Sequence, residues 1–84
     1  MRILNATPGD GSGSIVGWFN VELSPDLRLR NLTLRRGQDG HLSVFAPNVR
    51  GGNVATFSPA LAGRLAAAAH SYLEAQANDH HAAA

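Results

Sequence analysis

Histidine and carboxylate side chains are the residues of this sequence that could perform acid–base or metal chemistry. His70 and Glu74 stand four positions apart, which places them on one face of a helix, and His80 and His81 are adjacent near the C-terminus. One histidine and one carboxylate supply too few ligands for a metal ion. No nucleophile is paired with a base. The sequence therefore predicts no enzyme, no metal site and no cofactor.

Two glycine-rich segments, residues 9–13 and 51–52, raise the possibility of a phosphate-binding loop. Such a loop follows a strand, opens a helix and carries a lysine. Neither segment has that context or that residue. Both are therefore predicted to be turns, and residues 48–53 around the second are predicted to form a mobile loop.

Arginine is the more informative residue type. All seven basic side chains are Arg, although the formal net charge is only +1. Guanidinium groups match phosphate oxygens, and neutralising phosphates releases counterions. The central stretch from Arg28 to Arg50 contains five of the seven arginines, and its only acid is Asp39. It could therefore bind DNA or RNA, or it could be a solvated sheet face. The candidate nucleic-acid-binding residues in this stretch are Arg28, Arg30, Arg35, Arg36 and Arg50.

Apolar residues on the outer face of the predicted strands form a second candidate surface. Strand alternation places Val16, Trp18 and Phe45 on that face. Exposed aromatic rings stack on bases in single-strand binders, and they also pack against partner subunits. A chain of 84 residues without cysteine buries a small core and has no disulfide to stabilise it. We therefore expect a homodimer with these three residues at its interface.

Strands and one helix must position these residues. Apolar alternation and turn residues predict strands at 1–6, 14–23, 27–35 and 41–46. In the third strand the apolar parity changes between Leu29 and Leu32, which predicts a bulge near Arg30–Asn31. Asp39–Gly40 has the residue types of the tight turn that precedes the fourth strand.

The helix has a specific start signal. Ser58 is a favoured N-cap, and Pro59 is a favoured first helical residue. An apolar stripe then continues to about Gln76, whereas residues 78–84 lack periodicity and are predicted to be a disordered tail. The sequence thus predicts a single α+β domain at 1–77, with a small antiparallel sheet of about four strands followed by one C-terminal amphipathic helix.

A family resemblance is carried by the order of elements and by Leu32-Thr33-Leu34, the run Asp39-Gly40-His41-Leu42-Ser43-Val44-Phe45-Ala46-Pro47, Phe57-Ser58-Pro59, Arg64-Leu65 and Tyr72. With these residues the chain resembles the SpoVG family, named after stage V sporulation protein G. The resemblance extends over roughly residues 15–74, and it implies a dimeric α+β protein that binds DNA or RNA without being an enzyme. The basic loop that the family carries after the proline is shorter here and holds one arginine. The element order also resembles the PC-four-like fold of single-strand-binding transcriptional coactivators.

Two functions stay open. The first is a dimeric nucleic-acid-binding protein that regulates transcription and contacts phosphates through the arginine-rich surface. The second is a protein–protein interaction module, an adaptor or inhibitor without nucleic-acid affinity. No apolar run is long enough to span a bilayer, and the run 1–4 is too short for a signal-peptide core, so we expect a cytoplasmic protein with no membrane partner.

Overall fold

A four-stranded antiparallel sheet with a helix on one face forms the body of the protein in the computed structural model. The model describes the backbone of residues 1–11 and 13–83, and the side chains of 1–11, 13–52 and 54–77. The sheet order is β1-β2-β3-β4, and a short β5–β6 hairpin forms a separate ladder. The predicted α+β class is confirmed. The elements are β1 (Arg2–Pro8), β2 (Ile15–Ser24), β3 (Leu27–Arg36), β4 (Leu42–Phe45), β5 (Asn48–Val49), β6 (Gly52–Asn53) and α1 (Pro59–Ala83).

The core lies between the sheet and α1. Small residues let the helix and the neighbouring strands pack closely together. At Gly17 of β2, both β1 and α1 come near the backbone. A Cβ atom there would stand 2.6 Å from the Thr7 carbonyl oxygen and 3.1 Å from Cδ1 of Leu73. Only glycine fits this position without a shift of the backbone. The buried core residues are Phe19, Val21, Leu32, Leu34, Val44, Ala46, Leu65, Ala66 and Ala69.

The predicted bulge in β3 is confirmed. Leu29 and Leu32 both pair with inward-facing residues of β2, so Arg30 and Asn31 together lie opposite Asn20. Asn31 adopts a φ of 59°, and its backbone N–H donates a hydrogen bond of 2.8 Å to the side-chain oxygen of Asn20. The extra residue brings both leucines to the helix side of the sheet, which keeps the core continuous.

The N-cap prediction is also confirmed. The Leu61 N–H donates to Oγ of Ser58 at 3.2 Å, and α1 begins at Pro59. The helix continues beyond Gln76, where the apolar stripe ends, to Ala83. The side chains of the predicted tail at 78–84 lie outside the described residues, so its disorder stays a prediction.

The segment 48–53 differs from the predicted loop, because it forms the β5–β6 hairpin. Asn48 pairs with Asn53 across the ladder. The two turn residues, Arg50 and Gly51, have φ angles of 54° and 82°, as a type I′ turn requires. Arg50 is therefore held at the hairpin tip in a left-handed conformation. Apart from glycine and asparagine, residues seldom adopt this conformation.

Candidate nucleic-acid interface

The face of the sheet opposite α1 carries the candidate site. Helix α1 packs on the other face, against β1, β3 and β4. On the opposite side, Trp18 is 40% exposed and Phe45 is 46% exposed. We call this side the open face. Its residues lie in rows across the strands: Arg2, Glu22 and Arg28; Asn5 and Asn20; Thr7, Trp18, Thr33 and Phe45; and Ile15, Arg35 and Ser43.

The central row of the open face holds two aromatic rings. Trp18 pairs with Thr33, which in turn pairs with Phe45 on the edge strand β4. Because adjacent strands are about 4.8 Å apart, the backbones that carry the two rings are separated by roughly 10 Å. The threonine between them is half-buried. This row forms a partly apolar surface with exposed aromatic rings, of the kind on which unpaired bases stack.

Arg35 lies in the row next to the two rings. Its Cζ atom is 5.7 Å from the centroid of the Phe45 ring, which is within cation–π range. Arg35 makes no ion pair with any carboxylate in the described part of the chain. A positive charge that no acid neutralises therefore stands beside a stacking surface, and it could contact the phosphate of a stacked nucleotide.

Arg36 points to the opposite face. Its Nη2 atom lies 3.4 Å from Nε2 of His70 on α1, and the same nitrogen of His70 lies 3.1 Å from Oε1 of Glu74. Adjacent strand residues alternate faces, so Arg35 and Arg36 do not lie together on the arginine-rich surface proposed from the sequence. Within the described residues, no group of three or more His, Cys, Asp or Glu side chains could hold a metal ion.

The other candidate arginines differ in how far an acid neutralises them. Arg28 lies 3.1 Å from Oε1 of Glu22, and Arg2 lies 3.4 Å from Oε2 of the same carboxylate. Two cations thus share one acid, and this end of the open face keeps a net positive charge. Arg30 is exposed in the β3 bulge, and Arg50 is exposed at the hairpin tip.

The three residues predicted for a dimer interface do not share one environment. Trp18 and Phe45 lie on the open face, as expected. Val16 is half-buried and packs against the core, so its expected outer position is wrong. A register shift between Ile15 and Gly17 inserts an extra residue into β2 at this point and changes the side to which Val16 turns. The dimer itself stays a prediction.

A depression beside Phe45 was not predicted from the sequence. It has a volume of about 280 Å³. Two residues with polar side chains that appeared in no candidate set, Asn48 and Thr33, line it. They could not be connected to Phe45 without the β3–β4 register and the path of the chain after Pro47. The lining residues are Thr33, Arg35, Phe45, Ala46, Pro47 and Asn48.

No protein-family model matches the chain, and no curated protein or solved structure matches it significantly. The resemblance to the SpoVG family therefore stays a prediction. Among the described residues, no helix is long and apolar enough to cross a membrane.

Proposed function

We propose that this protein binds single-stranded nucleic acid on the open face of its sheet and acts as a regulatory protein. The observation that carries the proposal is the central row, in which Trp18, Thr33 and Phe45 lie side by side with Arg35 over one ring. Aromatic rings and unpaired guanidinium groups on one uncovered surface match the two parts of a nucleotide, its base and its phosphate.

A single strand fits this surface better than a duplex. Stacking on an aromatic ring needs an unpaired base whose face is accessible, and a double helix hides those faces between base pairs. Bases would stack on Trp18 and Phe45, while the phosphates contact Arg35. Arg28, Arg30 and Arg50 are proposed as additional phosphate contacts, whereas Arg36 belongs to the other face and is not part of the proposed site.

The experiment is a fluorescence-anisotropy titration of labelled single-stranded and duplex DNA and RNA at two salt concentrations. We expect single strands to bind more tightly than duplexes, and binding to weaken as salt rises, because phosphate contacts release counterions. The absence of binding to every strand at low salt would remove the proposal.

A second candidate function is association with a protein, including a second copy of this chain. It is favoured by the two large apolar side chains left exposed on the open face, since Trp18 is 40% exposed and Phe45 is 46% exposed. A partner on the open face would cover both rings and would compete with nucleic acid for the same residues.

Sedimentation velocity separates the two candidates. If the open face mediates self-association, Trp18→Ala should shift the protein towards the monomer. Val54→Ala is a suitable control, because Val54 is 62% exposed but is not part of the open face. A parent protein that is monomeric at tens of micromolar and still binds single strands would favour nucleic acid as the occupant.

A further inference from the structure

The depression beside Phe45 combines the groups that recognise a single base. One side of it is an aromatic ring that is 46% exposed. The residues with polar side chains that line it are Arg35, Thr33 and Asn48. Among the described residues, no acidic one lines it. It is therefore complementary in charge to a nucleotide and offers both a stacking face and hydrogen-bonding groups.

Asn48 is the lining residue best suited to read a base edge. Its side chain is exposed and makes no hydrogen bond to any described residue, so its amide oxygen and its NH₂ group are both available to a ligand. Its backbone is fixed by pairing with Asn53 in the β5–β6 hairpin. The amide is thus unoccupied but is carried by an ordered segment at the rim of the depression.

We infer that this depression is a subsite for one nucleobase, that it prefers adenine to a pyrimidine through stacking on Phe45, and that Asn48 contacts the edge of the base. The inference rests on the proposed function. An asparagine amide pairs with adenine in a bidentate manner, donating to N7 and accepting from the N6 amino group. Unpaired cytosine and thymine also offer an adjacent donor and acceptor to the amide, so the amide adds affinity for every base, and the preference comes from the Phe45 ring, of which a purine covers more.

Arg35 connects the subsite to the backbone of the strand. Without a ligand its guanidinium lies over the Phe45 ring. A base that enters the subsite takes over that ring face, and the guanidinium contacts the phosphate of the same nucleotide. The hairpin that begins at Asn48 carries a second cation, Arg50, at its tip. Base and phosphate contacts thus come from adjacent parts of the chain.

The test is a comparison of single strands of about ten nucleotides, made of dA, dC or dT, by fluorescence anisotropy at low salt. The parent should bind the dA strand more tightly than the other two, because adenine covers more of the Phe45 ring. Asn48→Ala should weaken the binding of all three strands by about five-fold or more, the usual contribution of a bidentate amide contact, and Asn48→Asp should do the same, because a carboxylate cannot donate a hydrogen bond to a base.

Gln38→Ala is the matched control, since Gln38 is another exposed amide and lies in the β3–β4 turn, outside the depression. It should keep the three affinities of the parent. Equal affinity of the parent for the three strands, or a folded Asn48→Ala protein with the affinities of the parent, overturns the subsite and leaves the proposed function standing. If no strand binds the parent at all, the proposed function fails together with the subsite.

Discussion

The neighbouring residues Arg35 and Arg36 provide a matched pair of variants. Arg35→Ala removes the cation beside Phe45 on the open face, whereas Arg36→Ala removes the cation beside His70 on the helix side. Both changes remove one positive charge from the same strand end, so the net charge of the two variants is identical. We expect only Arg35→Ala to weaken the binding of single strands.

The expected magnitude follows from one lost phosphate contact. On a single strand, each such contact contributes about 0.7 to the slope of log affinity against log salt. Arg35→Ala should therefore flatten the slope by about 0.7, so that a four-fold rise in salt costs the parent roughly 2.6-fold more affinity than it costs the variant. Arg36→Ala should keep the slope of the parent.

Anisotropy titrations between about 50 and about 200 mM salt measure this difference. Thermal melting must accompany them, because the loss of the exposed cation–π contact costs about 0.5–1 kcal/mol of stability. A folded Arg35→Ala protein with the slope of the parent would refute the reasoning. So would an Arg36→Ala protein that loses as much slope as Arg35→Ala, because the two faces would then not be distinguished by the ligand.

Three further variants test the fold that positions the open face. Ser58→Ala should lower the free energy of unfolding by about 1 kcal/mol, since it removes the acceptor of the helix N-cap, and urea denaturation measures this. Gly17→Ala should destabilise the protein by about 1–3 kcal/mol, because its Cβ would meet the Thr7 carbonyl oxygen at 2.6 Å. Gly63→Ala is the opposite case: its Cβ meets nothing within 4 Å, and alanine in an exposed helix interior should stabilise by about 0.5–1 kcal/mol. Melting temperatures that move in one direction for both glycine variants would contradict this interpretation.

The elements that could be predicted from the sequence depend on local signals. The Ser58 cap follows from residue preference at a helix start, and the β3 bulge follows from the parity change between Leu29 and Leu32. The sheet order required no long-range information, because each strand pairs with its neighbour in sequence. These features set the overall architecture and place Trp18 on the open face.

The features that could not be predicted depend on register or on very short elements. Strands of two residues have no alternation to detect, and Arg50-Gly51 lacks the asparagine that usually signals a type I′ turn. The side of the sheet on which Val16 lies was predicted wrongly, because the register shift between Ile15 and Gly17 leaves no trace in the apolar pattern of the sequence. Asn48 lies beside Phe45 because of how the chain turns after Pro47. The spacing of residue types along the sequence does not predict the direction of that turn.

The intrinsic fluorescence of Trp18 tests the central claim most directly, because it is the only tryptophan of the chain and lies in the central row of the open face. A single strand titrated at low salt should change its emission in a saturable way, with the same dissociation constant that anisotropy gives. Phe45→Ala should weaken both titrations together, by the roughly 1–3 kcal/mol that one stacked base contributes. A strand that binds by anisotropy while the emission of Trp18 stays unchanged would contradict the claim that nucleic acid occupies the open face.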